Sequence, residues 1–347
     1  MSRTVRFAVR AAAAVLVACQ LLASAVPVGT ASGSAWAKVD RRAATAPDSL
    51  VARVVAYSDG SSHSPPPPQK RLWGLTYTPY NSDGSCASLG ETTSQLAAVA
   101  GVADNIRLYS TDCSQLAHAM QAVSNSNLPL GIYAGIWVAP GAAGAARVNS
   151  ELDEFVAAAK TYDRGLIRGL SVGNEAILNG VGVDQLIGYI QQVRTRLHAE
   201  GLSNIPVYTT DIDTSFTPAL VEACDVLQIN LQSVFGSYYA GISASAQEVI
   251  SRANAFKSKF AGGKKVRIGE VGWSSAGVAG PYPLTLDNQK SFARAFKCLV
   301  DKTDYEYFFF EAKDATWKKG QPLCEQNFGV FNAGFTPKFD FGLLNSC

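Results

Sequence analysis

The chain has 347 residues, a formal net charge of +2, 17% charged residues and 10% aromatic residues. So even a charge balance leaves no basic stripe, which excludes nucleic acid as an expected partner. Sparse charge with plentiful rings suits a neutral, hydroxyl-rich ligand better than a phosphorylated one.

At the N-terminus, Arg3, Arg6 and Arg10 precede an apolar run from Ala11 to Val26, broken only by Gln20 and Ser24. The pattern predicts a secretory signal over 1–25, or to 37 if cleavage follows Ala35-Trp36-Ala37. The run is too short and too alanine-rich for a good membrane span, so no membrane attachment is expected once it is removed. Residues 38–69 are expected to be a pro-segment or Pro/Ser-rich linker, because Pro65 to Pro68 can enter neither a helix nor a central strand. One folded domain is expected over 70–347.

Cys19 falls in the signal, leaving Cys86, Cys113, Cys224, Cys298, Cys324 and Cys347. An even count in a secreted chain predicts disulfides, with the pairing left open. Cys86 and Cys113 follow neighbouring strands and form the first candidate pair. There is no C-x-x-C, no run of spaced acidic ligands, and His63, His118 and His198 fall in the linker and on helix patterns. No metal or other cofactor is expected.

Beyond Lys70, short β-rich apolar runs alternate with amphipathic stretches. Strands are predicted at 72–78, 105–109, 129–136, 168–172, 205–210, 226–231, 265–270 and 305–311. Helices are predicted at 92–102, 114–123, 150–162, 183–198, 218–223, 244–260 and 286–301. In the helix from Val183, Leu186, Ile187, Ile190, Val193 and Leu197 recur at i, i+3 and i+4, the mark of one buried face. Strand starts lie about 33 residues apart on average, one βα unit of a parallel barrel. An open doubly wound sheet alternates in the same way. However, no G-x-G-x-x-G follows the first strand, and eight units suit closure. The expected fold is an α/β, single-domain (β/α)8 TIM barrel.

Functional residues of such a barrel sit at the C-terminal strand ends. Here those positions hold carboxylates, amides and aromatic rings, the inventory of a sugar cleft. Tyr77, Tyr109, Trp137 and Trp273 are candidate platforms for pyranose faces. Asp211 and Asp213 are candidates for sugar hydroxyls or for capping the next helix, with capping expected of Asp213. Lys318 is a candidate partner for a distal hydroxyl or a carboxylate. Arg107 points inward and needs a carboxylate partner, because a buried unpaired arginine is costly.

Two strand ends stand out. Ser171-Val172-Gly173-Asn174-Glu175 and Ile268-Gly269-Glu270-Val271-Gly272-Trp273 each bring a glutamate to the mouth. Retaining glycosidic cleavage needs two carboxyl groups about 5–5.5 Å apart, one to protonate the leaving oxygen and one to attack the anomeric carbon. Strands four and seven of a closed barrel can aim their tips across one mouth. Asn174 is placed to bond a sugar 2-hydroxyl.

At these residues the sequence resembles glycoside hydrolase family 17, the β-1,3-glucanases, and its fungal-type branch in particular. The likeness runs from Trp73 to about Lys318. It is carried by Gly74-Leu75-Thr76-Tyr77-Thr78-Pro79-Tyr80 with Asp83-Gly84-Ser85-Cys86, and by Ile106-Arg107-Leu108-Tyr109 with Thr111-Asp112-Cys113. Val172-Gly173-Asn174-Glu175, Gly269-Glu270-Val271-Gly272-Trp273-Ser274-Ser275, and Asp314, Trp317 and Lys318 complete it. The resemblance implies Glu175 as proton donor, Glu270 as nucleophile and a retaining mechanism without cofactor. Tyr77, Tyr109, Asn174, Asn230, Trp273, Asp314 and Lys318 are the candidate substrate-binding residues. Two positions depart from the family pattern. Asn230-Leu231-Gln232-Ser233 stands where Asn, a variable residue, His and Pro are usual, and Ala315 occupies a place commonly acidic.

The expected function is hydrolysis of internal β-1,3-glucosidic bonds of cell-wall glucan by a secreted, monomeric, wall-associated enzyme. Alternatives are glucanosyl transfer or exo-acting cleavage on the same site, a barrel acting on β-1,4-glucan or mannan, and a non-catalytic glucan-binding wall protein.

Overall fold

The computed structural model describes residues Arg71–Gly236 and Tyr239–Cys347. The signal and linker expectations for 1–69, with Cys19 and His63, lie outside the described residues.

Eight parallel strands close into a barrel in chain order. They are β1 Leu75–Thr76, β2 Asn105–Arg107, β3 Gly131–Ile136, β4 Ile167–Asn174, β5 Val207–Ile212, β6 Leu227–Asn230, β7 Val266–Val271 and β8 Glu306–Phe309. Closure is made where Leu75 pairs with Phe309. The helices of the outer layer are α1 Leu89–Ala100, α2 Gln115–Asn125, α3 Gly141–Thr161, α4 Val183–Ala199, α5 Pro218–Ala223, α6 Ile242–Phe260 and α7 Leu286–Val300.

Every predicted element is present, shifted by a few residues at its ends. β1 and β2 are shorter than predicted, yet ladder bonds continue past them. Tyr77 N–H donates to Arg107 O at 2.9 Å and Leu108 N–H to Tyr133 O at 2.8 Å. The larger correction is α3, which begins at Gly141 rather than near 150. Its glycine- and alanine-rich start resembles a loop because glycine weakens helix interiors. Gly144 is nevertheless required there, since a Cβ would lie 1.9 Å from Ala139 O.

The amphipathic pattern lands as read. Leu186, Ile190, Val193 and Leu197 of α4 are buried against the barrel, with Ile187 half-buried beside them. Each such side chain contributes about 1.5–3 kcal/mol on burial. Local side chains cap the starts of α1, α5 and α7. Thr217 accepts the Leu220 N–H at 3.2 Å ahead of α5, with Pro218 in the first turn. Asp213, expected as a cap, instead grips Arg252 of α6 through two hydrogen bonds of 2.6 and 2.9 Å.

The N-terminal end of the barrel is plugged by a charge. The Arg267 guanidinium lies 4.5 Å from the Tyr133 ring centroid and 5.6 Å from that of Tyr208. It donates to Glu306 at 2.6 and 2.8 Å and to Gln228 at 3.2 Å. Pairing and stacking together make burial of that cation tolerable.

Cys86 is bonded to Cys113 across the loops after β1 and β2, and Cys298 of α7 to Cys347. Disulfide pairing does not extend to Cys224, a buried free thiol. No helix among the described residues is long and apolar enough to cross a membrane.

The Cys298–Cys347 bridge spans 49 residues, a loop for which chain entropy gives about 4 kcal/mol of stabilisation. Cys298→Ser should therefore lower the urea midpoint of the oxidised protein by that equivalent. An unchanged midpoint would show that the bridge adds nothing.

Candidate active site

β4 delivers the first glutamate through an irregular end. Its pairing with β5 shifts register between Ser171 and Asn174. Gly173 and Glu175 both take left-handed backbone, at φ 87° and 52°. Glycine adopts this freely, whereas Glu175 bears strain of about 1–3 kcal/mol, held by its surroundings. Those surroundings are explicit. Glu175 N–H donates to Thr210 O at 2.8 Å. Asp211 on β5 accepts the Ile177 N–H at 2.8 Å, pinning the turn that follows. Burial pushes the Asp211 carboxyl up to about 6, against hydrogen bonds from Ser215 and nearby amides.

β7 presents the second glutamate, Glu270, in register with Asn230 of β6. Its Oε1 accepts the Tyr109 hydroxyl at 2.8 Å and Arg107 Nη1 at 3.2 Å. Burial, then the adjacent Glu270 charge, holds the Tyr109 phenol well above its ordinary range, so it remains a proton donor to that carboxylate. Arg107 lies 4.6 Å from the Tyr109 ring centroid, and donates to Gly269 O at 2.8 Å and Asn174 Oδ1 at 2.7 Å. Asn230 Nδ2 then bridges Asn174 Oδ1 at 3.1 Å and Glu175 Oε1 at 2.9 Å. One polar chain thus runs from Glu270 through Arg107, Asn174 and Asn230 to Glu175. Both glutamates are nearly buried, 6% and 5% exposed.

Of the sequence candidates, Glu175, Glu270, Tyr109, Asn174 and Asn230 therefore meet. Three others do not present themselves to a ligand. Tyr77 is wholly buried and donates its hydroxyl to Gln95 at 2.7 Å. Trp273 is wholly buried too, packed against Tyr282 and Phe292 with its indole N–H toward Pro283 O at 3.3 Å. Both rings support the wall from behind, because the pattern at a strand end does not say which side of the wall an aromatic faces. Asp314 accepts Lys338 at 2.8 Å and the Gly329 N–H at 3.0 Å, so its Oδ1 is spent on the chain beyond β8.

Lys318 lies between. Its ammonium is 3.6 Å from Glu325 Oε2 and 4.0 Å from Glu311 Oε1, with Phe310 beneath it at 5.3 Å. Burial disfavours its charge, but Glu311, Glu325 and Glu270 together raise its pKa. Glu311 Oε1 is buried without a hydrogen-bond partner.

A further cluster joins Tyr80, Asp112, Trp137 and Trp317, all named at strand ends in the sequence, through Arg147 and Glu151, which the sequence reading missed. Asp112 accepts the Tyr80 hydroxyl at 2.7 Å and Arg147 at 3.0 Å. Arg147 also holds Glu151 at 2.5 Å, and Glu151 takes the Trp137 N–H at 2.8 Å. The half-buried Trp137 ring stands 5.8 Å from the Arg147 guanidinium, and Tyr80 meets Trp317 at 4.8 Å between centroids. Arg147 lies in the part of α3 that resembled a loop, so its i,i+4 relation to Glu151 was hidden with it. No group of three or more His, Cys, Asp or Glu side chains among the described residues could hold a metal ion.

Residues 74–329 match the model of the BtgE/BtgC glycoside hydrolase domain. A probable glucan endo-1,3-β-glucosidase of Aspergillus terreus is 26% identical over 71% of this chain and 40% of its own length. A probable family 17 glucosidase of Saccharomyces cerevisiae is 29% identical over 75% of this chain and 64% of its own. The chain thus spans less than two-thirds of either relative. Among solved structures, a glycoside hydrolase family 17 β-1,3-glucanosyltransferase from Rhizomucor miehei superposes with TM-score 0.68 at 22% identity, covering 78% of this chain and 97% of that one.

Burial holds the Glu311 carboxyl up to about 7, from an ordinary value of 4.5, despite the pull of Lys318. The native state then keeps a proton that the unfolded chain has lost, so stability is full below about pH 4.5 and declines as pH rises to about 7. The shift corresponds to about 3 kcal/mol. Glu311→Gln mimics the protonated acid and should match the wild type at pH 4 but exceed it at pH 8 in urea unfolding. Identical pH slopes for the two proteins would sink this assignment.

Proposed function

The chain belongs to the BtgE/BtgC glycoside hydrolase domain family, and from that footing we propose that it is a retaining β-1,3-glucanase hydrolysing internal bonds of cell-wall glucan. The observation that carries this is the polar chain tying Glu270 to Glu175 across one mouth. Two nearly buried carboxyl groups, each held by its own donors, supply the acid and the nucleophile that a double displacement uses.

In the first step Glu175 gives its proton to the glycosidic oxygen while a Glu270 carboxylate oxygen attacks the anomeric carbon. The C–O bond breaks and the leaving sugar departs as an alcohol. In the second, the Glu175 carboxylate takes a proton from water, whose oxygen displaces Glu270 from the anomeric carbon. Two inversions restore the β configuration. Tyr109 and Arg107 occupy Glu270 Oε1, which leaves the other carboxylate oxygen for attack. Asn174 spends its Oδ1 on Arg107 and Asn230, so its amide nitrogen is available to a sugar 2-hydroxyl. The half-buried Trp137 and the Tyr80–Trp317 pair offer ring faces at the rim. Relatives named for β-1,3-glucan cleavage support the linkage. Residues 1–25, or 1–37, as a secretory leader, 38–69 as a pro-segment or linker and a monomeric wall-associated domain complete the proposal, and the two disulfides suit an oxidising compartment.

Purified wild type should release reducing sugar from laminarin, with the β anomer formed first. Glu175→Ala and Glu270→Ala should each lose roughly a thousandfold or more, and Tyr109→Phe about tenfold, the worth of one hydrogen bond to a charged group. Products longer than a laminari-oligosaccharide substrate would redirect the reading to transfer. An α anomer formed first, or full activity in Glu270→Ala, would overturn the mechanism.

A further inference from the structure

We propose that Gln232 is a specificity-determining residue of the cleft, its carboxamide oxygen accepting a hydroxyl of the sugar on the leaving-group side of the scissile bond. The inference rests on the glucanase reading and assigns that site a contact of its own.

Placement comes first. Side chains alternate along a strand, and β6 sends Asn230 into the mouth, where it bonds Glu175 Oε1 at 2.9 Å. Leu231 turns away and is wholly buried in the core. Gln232 therefore returns to the face of Asn230, about 7 Å further out along the chain. Its backbone is held on both sides. Leu231 N–H donates to Glu270 O at 2.8 Å, and Gln232 O accepts the Phe235 N–H at 3.3 Å. The carrier of this side chain is thus tied to the strand that bears the nucleophile.

Satisfaction comes next. Gln232 Oε1 is a buried acceptor without a hydrogen-bond partner. Asn230, 1% exposed, leaves its Oδ1 in the same condition. Two carboxamide oxygens, two residues apart in the chain, therefore lack donors. A buried carbonyl left unmade costs about 1–3 kcal/mol, and sugar hydroxyls are donors that would satisfy it.

The side of the bond follows from what is already filled. Around Glu270, the Tyr109 hydroxyl and both terminal nitrogens of Arg107 already donate to protein acceptors. Gln232 stands just past the end of β6, beyond the Asn230 that bonds Glu175, the group that protonates the departing oxygen. A ligand reaching Gln232 continues from that oxygen, which is where the leaving sugar lies. The sequence also differs here, since Gln232 occupies a place where the resemblance expects histidine. Carboxamide and imidazole differ in reach and in which atoms accept, so this position can set preference among leaving sugars.

The test compares wild type, Gln232→Met and Gln232→His on two substrates. One is laminaripentaose. The other is an aryl β-laminaribioside, whose leaving group is a phenol with no sugar hydroxyls. Methionine keeps the length and removes the acceptor. The loss in kcat/KM for Gln232→Met should be about five- to tenfold greater on laminaripentaose than on the aryl substrate, the worth of one neutral hydrogen bond. Gln232→His should recover part of that difference. Aryl turnover by each variant also reports that it has folded. Equal losses on both substrates, or no loss on either, would overturn the inference while leaving the glucanase reading intact. Failure of the wild type to cleave either substrate would overturn both.

Discussion

Arg107 puts a full positive charge where almost no water reaches, at 1% exposure. Removing such a cation from water costs several kcal/mol unless partners take up its protons. Those partners come from strands that are far apart in sequence. Gly269 O and Glu270 belong to β7 and Asn174 to β4, while the ring of Tyr109 covers the guanidinium from its own strand. A charge with these obligations fixes the tips of three strands relative to one another. The two glutamates inherit their placement from that constraint. Neither the hydrophobic core nor ladder hydrogen bonding alone would aim them across one opening.

The same logic recurs at the other end of the barrel with a different outcome. Arg267 is also nearly buried, but Glu306, Gln228 and aromatic rings close around it. It belongs to the base of β7, whereas Glu270 stands near the tip of the same strand. Charge at the base is therefore committed to holding the strands together. At the mouth, Asn230 Oδ1, Gln232 Oε1 and Glu311 Oε1 have no hydrogen-bond partner. A folded domain tolerates such groups where something else is to meet them.

Much of this was legible in the sequence because period and chemistry agree. Alternation and spacing located all eight strands, and the rule for strand ends brought Glu175, Glu270, Tyr109, Asn174 and Asn230 to one place. What was not legible depended on contacts between distant segments. A strand-end tryptophan looks alike whether it faces the cleft or the helices, and Trp273 faces Tyr282 and Phe292. Asp213 lies close before a helix start, yet Arg252 lies within reach and wins. The start of α3 carries two glycines among its alanines, and the approach of Gly144 to Ala139 explains why that one is kept inside a helix. Each of these was decided by tertiary packing overriding local preference.

Ala315 shows how the molecule absorbs a departure from its family pattern. An acidic side chain is common at that place, close to Lys318, and alanine removes one counter-charge. Left alone, a nearly buried ammonium would lose its proton or draw a carboxylate out of position. Neither is needed here, because Glu325 approaches Lys318 from the loop beyond β8 and Glu311, at the end of β8, adds its charge above about pH 7. Ala315 is itself buried, at 1% exposure, so it contributes packing where a carboxylate would have had to be solvated. The charge balance at the wall is kept by different residues. Lys318 stays cationic within reach of the Glu270 field, and the electrostatics beside Glu270 are kept without an acidic residue at 315.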